Sequence, residues 1–205
     1  MSLSSPSPSG AVHHGIRRGT PSVLILLSGG LDSAACVAFY KAQGLKSESM
    51  FLDYGQPAAA LERRSSRRVA DHFGIDHREM KFQGGMPKSV GEVRARNAFF
   101  MLSALMEHPM KKGLIAIGIH AGTPYYDCTP AFLSSIQTLF DGYTDGRLQV
   151  AAPFIRMTKR EVWQYGQSVG LPANITYSCQ RGGAKPCGTC ASCRDRSKLD
   201  ALSHD

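Results

Sequence analysis

The alternation of short apolar runs with longer helical stretches constrains this chain more than any other feature. Val23 to Leu27 is a continuous apolar run, the pattern of a strand buried on both faces. Asp32 to Gln43 follows with small and apolar residues, no proline, and Gly44 as a stop, which predicts a helix. The pairing then repeats. Strand 49–53 precedes helix 58–73, strand 77–82 precedes helix 96–108, strand 114–119 precedes helix 129–140, and strand 148–152 precedes helix 158–169. The last helix opens on Thr158 and Glu161, spaced as a capping box. Parallel neighbours need crossover helices, so five such pairs predict an α/β chain with a doubly wound, Rossmann-like parallel sheet. Ligands of such sheets sit beyond the carboxyl ends of the strands.

The ends of the chain depart from this pattern. Residues 1–21 hold five serines in the first ten positions, with Pro6, Pro8 and Pro21, and no apolar periodicity. A disordered tail is expected there. Arg17 and Arg18, with no acid before Asp32, also fit a transit peptide, whereas the apolar core of a secretory signal is missing. The expected organisation is a tail over 1–21, an α/β domain over 22–175, and a separate C-terminal segment over 176–205. No apolar run approaches about 18 residues, so a membrane span is excluded. The net charge of +8 fits either a solvated basic surface or an anionic ligand. Arg63, Arg64, Arg67 and Arg68 concentrate part of it on one helix face.

The loop after the first strand reads Ser28, Gly29, Gly30, Leu31, Asp32, Ser33. Two glycines allow a tight turn and close approach to a ligand. The helix start beyond them offers free N–H groups and partial positive charge, and Ser28 and Ser33 add hydroxyls. Together these make a pyrophosphate cradle. The loop is neither a Walker A sequence nor a Rossmann G-x-G-x-x-G. The competing account is an ordinary Gly-Gly turn with Asp32 as a helix cap. After the second strand, Asp53, Tyr54, Gly55 and Gln56 are placed to form a wall of the same site.

Cys179, Cys187, Cys190 and Cys193 form a compact set. Thiolates so spaced can converge on zinc or hold a [4Fe–4S] cluster. Cys36 reads as core, and Cys128 as either core or site.

The S-G-G-x-D-S loop resembles the PP-loop of ATP pyrophosphatases, which implies Mg²⁺-ATP held by Leu27, Ser28, Gly29, Gly30, Leu31, Asp32 and Ser33. That loop, Asp53 to Gln56, Arg96-Asn97, and C-G-x-C-x-x-C-x-x-R occur here in one order. Over about residues 22–196 the chain resembles the 7-cyano-7-deazaguanine synthase (QueC/ExsB) family of queuosine biosynthesis. The resemblance implies a carbon–nitrogen ligase using ATP, Mg²⁺ and a structural Zn²⁺ on the four cysteines. It implies adenylation of 7-carboxy-7-deazaguanine and attack by ammonia to give the amide. A second adenylation then gives the nitrile. Lys159, Arg96 and Asp32 are the implied catalytic groups, and Tyr54, Gln56 and Asn97 complete the nucleotide site. A cytoplasmic homodimer is implied as well.

Departures cluster on one side. Pro57 and Ala58 follow Gln56 where the family has Arg-His. Val93, Arg94 and Ala95 precede Arg96 and Asn97 where it has V-P-G. Thr129 follows Cys128 where it has Arg, and the acid before that segment is missing. These leave three alternatives open. One is a related ligase joining a deazaguanine carboxylate to another amine, on a protein or nucleic acid. Another is a PP-loop tRNA-modifying enzyme. The last is a zinc-stabilised binding module without catalysis.

Overall fold

The computed structural model describes residues 22–84 and 93–201. The tail expected over residues 1–21 lies outside these. The elements are β1 (Ser22–Leu26), α1 (Leu31–Ala42), β2 (Lys46–Asp53), α2 (Ala59–Phe73), β3 (Asp76–Lys81), α3 (Arg96–Glu107), β4 (Gly113–Ile117), α4 (Pro130–Thr144), β5 (Leu148–Ala151), α5 (Lys159–Ser168) and α6 (Ala191–Ala201). The strands form one sheet in the order β3-β2-β1-β4-β5, parallel throughout. The α/β doubly wound architecture expected from the alternation is the one observed.

Alternate residues of β1 feed two cores, as a pleated strand requires. Val23 and Ile25 pack with Val37 of α1, Val69 of α2 and Val162 of α5. Leu24 and Leu26 face Met101 of α3 and Ile136 and Phe140 of α4. Helices therefore cover both faces of the sheet. Each fully buried aliphatic side chain contributes about 1.5–3 kcal/mol of transfer free energy. This is why the central strands are apolar runs rather than alternating ones.

β1 connects to β2 on one side and is flanked by β4 on the other. The crevice between the carboxyl ends of β1 and β4 is thus the topological switch point, where open α/β sheets bind ligands. The loop 28–33 leaves β1 there, and Gly118 to His120 leave β4 there.

The structure extends the sequence reading in two places. β2 starts at Lys46, earlier than expected, because β1 and β3 pair with its polar beginning. Helix α6 was not anticipated. Its buried residues are Cys193 and Leu199, so it has no apolar stripe to read. The basic face of α2 is half neutralised. Arg63 pairs with Asp53 and with Glu79 at 3.2 Å, and Arg67 pairs with Glu79 at 2.6 Å. Cys36 is fully buried core.

Candidate active site

A cleft of about 270 Å³ opens at the switch point. Leu27, Ser28, Gly30, Leu31, Asp32, Ser33, Tyr54, Gln56, Arg96, Asn97 and Lys159 all line it. Four separate chain segments bring them together, which sequence distance alone does not show.

The loop 28–33 is built as a cradle. Gly30 is the N-cap of α1 and no side chain caps that helix, so its first N–H groups face the cleft without a side-chain acceptor. Asp32 is therefore not a helix cap. The Ser28 and Ser33 hydroxyls lie 3.1 Å apart, and Ser33 donates to the Gly30 carbonyl at 3.0 Å. Gly29 has a different role from the one expected. It does not line the cleft; its φ is +79°. A Cβ there would lie 2.6 Å from the Ser66 amide nitrogen and 2.7 Å from the Glu62 carbonyl oxygen. Gly29 is required because α2 packs directly against the loop.

Lys159 reaches the cleft because Thr158 caps α5. The Thr158 hydroxyl accepts from the Glu161 amide at 3.3 Å, and Glu161 accepts from the Thr158 amide at 2.6 Å. Lys159 Nζ donates to Asp32 Oδ2 at 2.5 Å. Behind them His120 is buried, its Nε2 3.7 Å from the same oxygen, while its Nδ1 accepts from the Gly122 amide at 3.0 Å. Burial pushes the His120 pKa down against the upward pull of Asp32. Asp32 Oδ1 is buried without a hydrogen-bond partner.

Gln56 and Asn97 serve the architecture. Gln56 Oε1 accepts from the Tyr54 amide at 3.0 Å, and its Nε2 donates to the Leu52 carbonyl at 3.2 Å and to Glu62 at 2.8 Å. This closes the turn after β2. The Asn97 amide and side chain bind Asp127 at 3.1 and 3.0 Å, and its Nδ2 lies 3.8 Å from Cys128 Sγ. The segment where the family pattern drifts is thereby pinned to α3. Cys128 is buried there outside the cleft lining. Burial, then Asp127, pushes its thiol up to about 11.

Sequence reasoning missed the other wall. Glu62 of α2 enters the cleft, and burial raises its carboxyl pKa despite Gln56 and Arg96. Tyr177, Ser178, Gln180, Ser192, Asp195, Arg196 and Leu199 enter it from the C-terminal segment. The Tyr177 amide donates to the Gly29 carbonyl at 2.9 Å, stitching that segment onto the loop. Ser65 Oγ binds both the Gly29 and Ile175 carbonyls, at 2.8 and 2.6 Å. Such bonds between distant segments leave no periodic trace in sequence.

The Sγ atoms of Cys179, Cys187, Cys190 and Cys193 lie within 4.8 Å of one another and can hold a metal ion. The Cys190 amide donates to Cys187 Sγ and the Cys193 amide to Cys190 Sγ, each at 3.4 Å. These N–H groups, with the Thr189 hydroxyl at 3.5 Å from Cys187, favour thiolates. Among the described residues no helix is long and apolar enough to cross a membrane.

Comparison with known proteins agrees with this geometry. The family model described as queuosine biosynthesis protein QueC matches residues 22–92 and 83–202. The chain is 31% identical to 7-cyano-7-deazaguanine synthase of Aquifex aeolicus, covering 86% of this chain and 94% of that protein. It is 34% identical to the synthase of Trichodesmium erythraeum, covering 84% and 92%. A solved structure of NMN synthetase from Francisella tularensis superposes with a TM-score of 0.52 at 15% identity, covering 89% of this chain and 77% of that one. That likeness concerns the fold. The matches extend along the whole α/β unit and through the cysteine set: the chain belongs to the QueC family of ATP-using PP-loop enzymes.

Proposed function

We propose that this chain makes 7-cyano-7-deazaguanine from 7-carboxy-7-deazaguanine, ammonia and ATP. The observation that carries this reading is the uncapped S-G-G-L-D-S cradle facing Lys159 at the switch point of a QueC-family chain. A carboxylate oxygen leaves poorly and AMP leaves well, so the carboxylate is first adenylated with loss of pyrophosphate. Ammonia displaces AMP and loses a proton, giving the amide. The amide oxygen is adenylated in turn, and departure of the second AMP with loss of a proton leaves the nitrile.

The chain's own part is positioning and charge compensation. The α1 N–H groups and the two serine hydroxyls take the pyrophosphate oxygens, and Lys159 turns from Asp32 toward them. Mg²⁺ supplies further neutralisation of phosphate charge, and Asp32 is suited to hold it through its unpartnered Oδ1, a hard oxygen donor.

For the cysteines we favour Zn²⁺. Bonds of 2.3 Å to one tetrahedral ion put the sulfurs about 3.8 Å apart, and Cys187 and Cys193 are 3.9 Å apart. A [4Fe–4S] cluster binds each thiolate at a different iron and needs a wider spread than 4.8 Å. A nucleotide-using chain with four reduced thiols fits the cytoplasm. On this reading residues 22–175 form the ATP-binding domain and the C-terminal segment its metal-stapled wall. The pairing of Arg63 and Arg67 with acids halves the free basic face of α2 and weighs against a tRNA substrate.

A second copy of the chain is the proposed partner. Met106 and Tyr143 are 85% and 75% exposed beside a groove lined by Leu102, Leu105, Met110 and Leu148. Sedimentation is expected to show twice the chain mass of 22.2 kDa, with Tyr143→Glu returning the monomer. A monomeric wild type at micromolar concentration removes the dimer.

The activity is tested by incubating purified protein with the carboxylate, ammonia and Mg²⁺-ATP. AMP and the nitrile are expected together. AMP without nitrile, with a different amine joined, would instead support the related ligase.

A further inference from the structure

The cleft divides at the loop 28–33 into two unlike halves. Asp32, Lys159 and Gly118 lie on the side of β4 and β5. On the side of β2 stand Tyr54, Glu62, Arg96 and Phe100. That second half differs at its helix start: no N-cap side chain bonds to α3 either, but the Asn97 amide is already taken by Asp127 at 3.1 Å. It has an aromatic wall instead: the Tyr54 and Phe100 rings are 5.4 Å apart, and the Arg96 guanidinium lies 6.0 Å from the Phe100 ring centre.

The charges there are incompletely satisfied. Among the described residues Arg96 has no carboxylate within ion-pair distance, and its Nε is buried without a hydrogen-bond partner. By contrast, Lys159 is already paired with Asp32. Glu62 accepts one hydrogen bond, from Gln56 Nε2 at 2.8 Å, and remains in a largely desolvated place that raises its pKa. A half-buried carboxylate with one donor and a half-buried guanidinium whose Nε–H is buried and idle are costly unless a ligand completes them.

The proposed substrate completes both. A 7-deazaguanine presents in a row one acceptor, O6, and two donors, ring N1–H and the exocyclic amine. An ionised carboxylate only accepts, and a guanidinium only donates. Adenine fits less well, because its ring N1 is an acceptor and would meet the carboxylate's lone pairs. We propose that Glu62 accepts from N1–H and the exocyclic amine of the deazaguanine while Arg96 donates to its O6, with Tyr54 and Phe100 walling the ring. This takes Arg96, which the family resemblance implies as a catalytic group, and Tyr54, which it implies in the nucleotide site, to the deazaguanine base. It rests on the substrate assigned above.

The test compares 7-carboxy-7-deazaguanine with the analogue lacking the 2-amino group, on wild type and Glu62→Gln. The rate of AMP release and the affinity for ATP are both measured. A paired set of base contacts discriminates by about 10- to 100-fold. Wild type is expected to prefer the aminated substrate by that factor. Glu62→Gln should lose most of the preference while ATP affinity changes less than about twofold, which also shows the variant folded. Arg96→Met should raise the KM for both carboxylates, again with ATP affinity kept. An unchanged preference in Glu62→Gln overturns the assignment. So does a loss confined to ATP affinity, which would give these residues to the nucleotide. Wild type that turns over neither carboxylate contradicts the parent reading rather than this one alone, and binding of the deazaguanine measured by calorimetry separates the two failures.

Discussion

Removing a metal held by the four-cysteine site is expected to weaken nucleotide binding severely well before the sheet unfolds. The segment from Tyr177 to Leu199 gives the cleft seven of its lining residues, yet its own core is little more than Cys179, Cys190 and Cys193. A structural metal is worth on the order of 10 kcal/mol to such a small fold, far more than those few contacts. The Tyr177–Gly29 hydrogen bond then transmits the loss to the phosphate loop. Arg196 carries it to the core as well, through Thr176 at 3.1 Å and by lying 5.3 Å from the ring centre of Trp163, the chain's one tryptophan. Chelation, or Cys187→Ser, should weaken binding of a non-hydrolysable ATP analogue at least about 100-fold, the order expected when a wall of a closed site is lost. Trp163 fluorescence should shift, and circular dichroism should keep the sheet signal. Metal-free protein that binds the analogue at full strength would show that the segment folds by itself.

Lys159→Met is expected to lower kcat by about 10²- to 10³-fold, the usual effect of losing one preorganised charge on a developing anion. Its effect on stability should be small. Both partners of the Lys159–Asp32 pair are partly exposed, at 28% and 22% of their side chains, and such pairs contribute about 0–1 kcal/mol. The two readouts therefore separate. A variant that keeps its rate shows that Lys159 is a solvated helix start. A variant that loses both rate and several degrees of melting temperature shows that the pair holds the fold.

The fold was legible where burial imposes a pattern. β1 and β4 are covered on both faces, so each is a continuous apolar run. Thr158 and Glu161 announce the start of α5 because a capping box is local chemistry. The cysteine set is also local, with three members packed between residues 187 and 193. The site was legible only in its loop and its family motifs. Gly29, Gln56 and Asn97 belong to those motifs, yet the structure gives them packing and hydrogen-bonding work that the motifs do not state. Glu62 escaped notice because one carboxylate in an arginine-rich helix reads as an exposed charge. Its partial burial follows from the packing of α2 against the loop. Helix α6 escaped because its charged sequence has no apolar periodicity, and the fold around the cysteines holds it in place.

In the proposed reaction this chain takes both oxygens from a deazaguanine carboxylate by successive adenylation. Heavy-oxygen labelling of the carboxylate tests it directly, with AMP and the organic product read by mass spectrometry in the presence of ammonia and Mg²⁺-ATP. The expected products are a nitrile that has lost both labelled oxygens and two AMP per nitrile, each carrying one labelled oxygen. Unlabelled AMP, or a reaction that stops with one labelled AMP and an amide or another amine adduct, would contradict it.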